Sequence, residues 1–277
     1  NEYTDELVEM SAVLKRITVD KPRTLREATQ LFWLYALVSG VSNYGRMDVY
    51  LGDFYVRDLE SGVITQEKAL KLFKSLWKLI ADRKIIFNSR VIIGGMGRSN
   101  EKNADRFALL AMEATRLVDE TEPQLTLRFY KGMNSLLMKK ALDVIGEGKP
   151  YPMLYNDDVN VVAVRKAFRI TLEEAQQYLP YGCGEYAIDH MSFGSPNCAL
   201  NMLKALEITL HNGCDPVRGQ RVGIQTGEFS TLKTFDELFE AYKNQVEYHI
   251  EALAVRDAIE NSVKDEEASF LYVSMLF

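Results

Sequence analysis

The sequence predicts an α/β protein built on a largely parallel sheet. Apolar runs rich in β-branched residues alternate along the chain with segments of helical period. Several helical segments open on Thr followed three residues later by Glu, a pairing that satisfies free amides at a helix start. The composition is that of a packed protein, with 47% of its 277 residues hydrophobic, 26% charged and only 7 prolines. Strands and helices alternating at this spacing favour parallel strands joined by helical crossovers. In such folds chemistry gathers at the carboxyl ends of the strands.

Thr24-Leu-Arg-Glu27 opens an apolar helix that runs to about Ser39. Ser42 to Gly62 is loop-like at both ends. Thr65 precedes an amphipathic helix whose apolar positions are Ala69, Leu72, Phe73, Leu76, Leu79 and Ile80. Lys84 to Ile93 is a β-branched strand that stops at Gly94-Gly95. A helix over about Lys102 to Leu117 leads to a strand at Gln124–Tyr130, and a helix over about Ser135 to Gly146 leads to another at Tyr151–Tyr155. Thr171-Leu-Glu-Glu174 and Thr234-Phe-Asp-Glu237 are further capping boxes. An extended piece at Tyr178–Tyr181 precedes a cysteine, and Ala199 to Leu210 is helical. No repeat, low-complexity linker or domain boundary is evident.

Charge and cysteine content narrow the function. The chain has 33 basic and 39 acidic residues, a net charge of −6, which argues against non-specific nucleic-acid binding. Three cysteines give no disulfide framework, so a reducing cytoplasm is the expected location. The acidic start NEYTDELVEM lacks a secretory apolar core. The longest apolar run, Leu31 to Val38, is too short to span a bilayer, and no membrane association is expected. Phe270 to Phe277 is apolar without a stop signal, so the expected object is a fragment of a longer polypeptide.

The most unusual segment is Tyr181-Gly-Cys-Gly-Glu-Tyr-Ala-Ile-Asp-His190. Gly182 and Gly184 permit backbone angles closed to other residues. Residues i and i+2 of an extended loop face the same way, so Cys183 and Glu185 can meet one small molecule. A buried, inert cysteine in a glycine turn is the plain alternative. Cysteine hydrolysis needs a base beside the thiol, and His190 is the local choice. Asn156-Asp157-Asp158 ends a strand, as a substrate site or as the cap of the next helix. Arg46 and Asp48 make either a structural ion pair or a clamp for a substrate carboxylate. Gly94-Gly-Met-Gly97 is a tight strand–helix turn rather than a phosphate cradle, since it matches no phosphate motif. Glu207 and His211 share a helix face, but no metal-binding spacing occurs.

Taken in order, these segments resemble the glycyl radical enzymes, the pyruvate formate-lyase-like family. Gly182-Cys183-Gly184-Glu185 is similar to the family's Gly-Cys-x-Glu loop, and Gly45-Arg-Met-Asp48 with Tyr50–Tyr55 to its Gly-Arg-hydrophobic-Asp segment. Val91–Gly95, Pro123–Arg128 and Tyr155–Asp157 resemble its strand motifs. Asn201–Gly213 and Gly219–Gly227 resemble its post-cysteine helix and glycine-rich loop. The resemblance implies part of a ten-stranded α/β barrel with the cysteine loop inside.

It also implies a lyase of eliminase, dehydratase or decarboxylase type acting on a small polar metabolite, with Cys183 as thiyl radical and Glu185 as base. Asn156, Asp157, Asp189, His190 and Arg46 are the candidate substrate-binding residues. No cofactor is expected on this chain. The resemblance places the glycyl radical on a further C-terminal region and implies an activating partner that uses radical S-adenosylmethionine. A homodimer is left open.

Three departures shape this reading. The lone cysteine differs from the two-cysteine acyl-transfer design. Gly184 stands where a bulkier residue is usual. Arg221-Val-Gly-Ile224 superficially resembles the radical-bearing loop but lacks its Tyr, and Gly223 is expected to be structural. A non-catalytic barrel that binds a metabolite or partner, and a Cys–His hydrolase, are the alternatives.

Overall fold

The computed structural model describes residues 2–85, 89–182, 184–191 and 200–262. Helices α1 (Glu2–Ile17) and α2 (Leu25–Ser39) come first. Next are β1 (Asn43–Arg46), α3 (Met47–Glu60), α4 (Gln66–Asp82), β2 (Arg90–Gly94), α5 (Glu101–Val118), β3 (Gln124–Phe129), α6 (Ser135–Gly146) and β4 (Met153–Asn156). Helix α7 (Asp157–Phe168), the single turn α8 (Leu172–Ala175) and a hairpin of β5 (Tyr178–Tyr181) and β6 (Glu185–Ile188) follow. Beyond them lie α9 (Met202–Leu210), β7 (Cys214–Asp215), β8 (Gln220–Arg221) and α10 (Phe235–Ser262).

The caps behave as their side chains dictate. Thr24 Oγ1 accepts from the Glu27 amide at 3.2 Å, although the Glu27 carboxylate takes the Arg23 amide instead of closing the box. Thr171 and Glu174 form the full reciprocal box, and so do Thr234 and Glu237. Thr65 caps α4 by accepting from the Lys68 amide at 3.2 Å.

Strands β1 to β4 form one parallel sheet in sequence order. Alternation along β2 and β3 divides their side chains between two faces. Val91, Ile93, Leu125 and Leu127 enter the main core with Phe73, Trp77 and Phe107 from α4 and α5. Within it Phe73 meets Phe107 edge-to-face at 4.9 Å, and buried Trp77 donates to Thr115 at 2.8 Å. The other face carries Arg90, Ile92, Thr126 and Arg128, all buried. Hairpin β5–β6 packs toward β1 and β2, and its Tyr178 and Ile188 join Val161, Val164 and Ala175 in a second core.

Two segments differ from the sequence expectation. Ser42–Gly62 is loop-like only at its outer residues and between them holds β1 and α3, which were not anticipated. Its glycines make it look irregular, yet Gly52 lies where α3 meets α5, and a Cβ there would come within 3.0 Å of the Ala104 backbone. The strand expected over Lys84–Ile93 is assigned only from Arg90, and residues 86–88 lie outside the described residues. The chain also divides between residues 191 and 200 into two compact units that the sequence reading did not separate. In the second unit, α9 packs on α10 and β7 pairs antiparallel with β8. There Gly223 lies against the buried Gln245 amide, which a Cβ would meet at 2.0 Å. This is the structural glycine anticipated from the sequence.

Candidate functional site

The inner face of the sheet is polar because β3 sets polar residues at every second position and β2 begins on Arg90. Gln124, Thr126 and Arg128 alternate with Leu125 and Leu127, and Arg90 precedes Val91. Across this face β5 runs from the carboxyl ends of the strands to their amino ends. At its start, Arg128 Nη1 donates to the Tyr178 carbonyl at 2.8 Å, and Arg46 reaches the Gln176 carbonyl at 3.3 Å. At its end, Arg90 Nη2 donates to the Gly182 carbonyl.

The turn of the hairpin therefore lies over the amino ends of β2 and β3, not the carboxyl ends expected of such sheets. Tyr181 pairs with Glu185, and the Gly184 amide donates to the Tyr181 carbonyl at 3.1 Å. Cys183 itself lies outside the described residues. Gly182 has φ +53°, and a Cβ on it would sit 2.5 Å from Glu185 Oε2, so the Glu185 carboxyl group is folded back over the turn. Glu185 is exposed in this chain. Tyr155 brings its hydroxyl near Gly184, and its ring meets Tyr186 edge-on at 6.2 Å; Tyr186 in turn meets Tyr178 at 5.2 Å. Burial, then the Glu185 charge, push the Tyr181 phenol above its ordinary pKa.

The opposite end of the face is a closed ionic cluster. Asp157 is fully buried and accepts from Arg128 Nε (3.0 Å), Arg128 Nη2 (2.8 Å), Tyr178 Oη (2.6 Å) and the Met96 amide (2.7 Å). Arg46 is also buried and donates to the carbonyls of Gly94 (3.0 Å) and Met96 (2.9 Å) and to Gln177 Oε1 (3.2 Å). Burial, reinforced by the neighbouring Arg128 charge, lowers the Arg46 pKa to about 9. Asp48 pairs with Arg98, at 3.2 Å, rather than with Arg46, and accepts the Gly94 amide at 2.8 Å. The Gly94–Gly97 turn thus spends two amides on protein carboxylates, as a tight turn does and a phosphate cradle does not. Asn156 caps α7 by accepting from the Asp158 amide at 3.0 Å.

Asp189 and His190 follow the end of β6 that pairs with Tyr178. Four residue steps, about 13 Å of strand, separate Asp189 from Glu185. The His190 side chain is 93% exposed and stands 3.8 Å from Asp189. The fold therefore gathers Glu185 with the glycine turn, and sets Asn156, Asp157, Arg46, Asp189 and His190 at the other end of the hairpin. Sequence reasoning missed Arg90, Arg128 and Tyr155. Arg128 had a signal in the polar residues at alternate positions of β3, whereas Arg90 and Tyr155 lie in strands without that alternation. Among the described residues no group of three or more His, Cys, Asp or Glu side chains could hold a metal ion, and no helix is long and apolar enough to cross a membrane.

Residues 2–277 match the family described as pyruvate formate lyase-like. The chain belongs to that family. Within the pyruvate formate lyase-like family it is 27% identical to trans-4-hydroxy-L-proline dehydratase of Clostridioides difficile, over 90% of this chain and 35% of that protein. It is also 27% identical to isethionate sulfite-lyase of Oleidesulfovibrio alaskensis, over 94% of this chain and 34% of that protein. A Roseburia inulinivorans structure solved for 1,2-propanediol dehydration superposes with a TM-score of 0.68 at 27% identity, covering 98% of this chain and 34% of its own. A glycyl radical enzyme from Archaeoglobus fulgidus superposes with a TM-score of 0.64 at 28% identity, covering 93% and 35%. The chain thus spans about a third of the length of these relatives. Its parallel sheet is part of a glycyl radical enzyme barrel.

Proposed function

We propose that this chain carries the hydrogen-transfer and acid–base portion of a glycyl radical lyase that eliminates a group from a small polar metabolite. The observation that carries the proposal is the glycine turn on the polar inner face, with the Glu185 carboxyl group folded over Gly182. The dehydratase and lyase names of the relatives support elimination over acyl transfer.

A glycyl radical installed elsewhere by a radical S-adenosylmethionine activase would take the hydrogen atom of the Cys183 thiol, a glycine C–H forming as S–H breaks. Cys183 then removes a hydrogen atom from a substrate carbon, forming S–H as C–H breaks. Glu185 takes the proton of the hydroxyl on that carbon while the adjacent leaving group departs with its bonding pair. The S–H returns its hydrogen atom to the product radical, so the thiyl is regenerated. Tyr155, Tyr178 and Tyr186 line the face with phenol rings that help exclude water. No observation favours the hydrolase reading, because the hairpin holds His190 at the end remote from the turn.

Anaerobic activation of the full-length gene product tests this. A glycyl doublet in electron paramagnetic resonance is expected. Cys183→Ser keeps the doublet and abolishes turnover, and Glu185→Gln lowers kcat by about 10²-fold or more. Absence of the doublet, or turnover by the serine variant, refutes the proposal.

A further inference from the structure

Arg90 is the least expected residue of the inner face. It is 1% exposed, and among the described residues no carboxylate lies within 4.0 Å of its guanidinium. Its charge is felt by Glu122, but its own hydrogen bonds go to uncharged groups, and a buried guanidinium is costly unless such bonds are made. Arg90 uses them to join four pieces of chain. Nη1 donates to Thr126 Oγ1 at 2.8 Å and meets Met153 Sδ at 3.0 Å. Nη2 donates to Gln124 Oε1 at 3.1 Å and to the Gly182 carbonyl. The first three contacts fix the guanidinium plane on β3 and β4. The fourth projects from that fixed plane to the hairpin turn.

The carbonyl of Gly182 shares one rigid peptide plane with the backbone nitrogen of residue 183. Holding that oxygen restrains the turn at Gly182. The turn itself is permissive, since Gly182 at φ +53° and Gly184 at φ +127° have no side chains to lock them. A charge-assisted hydrogen bond from a buried, immobile donor supplies the missing restraint.

We infer that Arg90 is the positioning residue of the hairpin turn, anchoring it at the Gly182 carbonyl for the proposed hydrogen transfer. The inference rests on the lyase reading above. A lysine has one donor nitrogen and cannot reach four acceptors on two strands and a turn, so even this conservative change releases the carbonyl.

The test uses Arg90→Lys and Arg90→Gln in the full-length enzyme. Both variants are expected to form the glycyl doublet at wild-type yield. Their kcat falls by about 10²-fold, the effect of an ångström-scale misplacement, while KM stays within about threefold. In the enzyme before activation, iodoacetamide labels Cys183 several-fold faster in the variants, as read by peptide mass spectrometry, and labelling of Cys214 is unchanged. Wild-type kcat and labelling in both variants overturn the inference. Equal acceleration at Cys214, or loss of fold in both variants, also overturns it, because Arg90 would then be only structural glue. If the wild-type enzyme forms no doublet, the lyase reading fails, while the labelling contrast still decides the role of Arg90.

Discussion

At the scale of single residues, the two turn glycines do different work. Gly182→Ala adds a Cβ 2.5 Å from Glu185 Oε2 at φ +53°, so it strains the backbone and pushes the carboxyl group off the turn. Gly184→Ala at φ +127° meets nothing closer than the Tyr155 hydroxyl at 3.7 Å, so it brings strain alone. Both changes are expected to cost about 1–3 kcal/mol in urea unfolding. Turnover of the activated enzyme should fall by at least tenfold more in Gly182→Ala, and equal losses would show that Glu185 placement is not what Gly182 protects. At the other end of the hairpin, Arg128 and Asp157 form a bidentate pair, both side chains wholly buried, with the guanidinium 3.9 Å over the Tyr178 ring. Arg128→Met strands a buried carboxylate and is expected to cost about 3–5 kcal/mol. In a double-mutant cycle with Asp157→Leu, the pair of changes should cost less than their sum by more than about 1 kcal/mol. An additive cycle would mean that the two side chains contribute independently.

At the scale of elements, the close contact of α3 with α5 makes a prediction whose sign is informative. Propensity alone says that Gly52→Ala should stabilise α3 by about 1 kcal/mol. The new Cβ, however, faces the Ala104 backbone at 3.0 Å, and backbone cannot swing aside as a side chain does. A net loss of about 1–3 kcal/mol is therefore expected, read as a lower denaturant midpoint; a gain would mean that the helices can part freely. The same contact explains what the sequence could and could not convey. Caps at Thr24, Thr65, Thr171 and Thr234 were legible because each depends on residues three apart. Strand β3 was legible from Leu125 and Leu127 alternating with polar neighbours. Helix α3 was not, because Gly52 packs against Ala104, 52 positions away, and looks like a breaker when only its neighbours are visible. The Glu185 side of the candidate site followed from the glycine turn. The partners of the turn did not, since Arg90 reaches Gly182 across 92 positions and only the packing of β5 against β2 brings them together.

At the scale of the whole first unit, helices cover one face of the sheet in apolar contacts while the other face is fixed by arginines. Little of the apolar packing responds to pH, so the acid limb of stability should come from ion pairs on the helical layer. Glu113 on α5 is the clearest case. Hydrogen bonds from Arg116, and then from Lys140 on α6, hold its pKa down to about 2 against the attraction of burial for the neutral form. A carboxylate with a lowered folded-state pKa stabilises the protein fully above its unfolded value, about 4.3, and loses that contribution as pH falls toward 2. The group is a quarter exposed, so solvent screening limits the contribution to about 1 kcal/mol. Wild type and Glu113→Gln should therefore differ by that amount in urea unfolding from pH 7 down to pH 5. The gap should then close progressively between pH 4.5 and pH 2, and should narrow at pH 7 when salt is raised to about 1 M. A gap that persists unchanged at pH 2.5 would assign the stabilisation to packing of the side chain between α5 and α6 rather than to its charge.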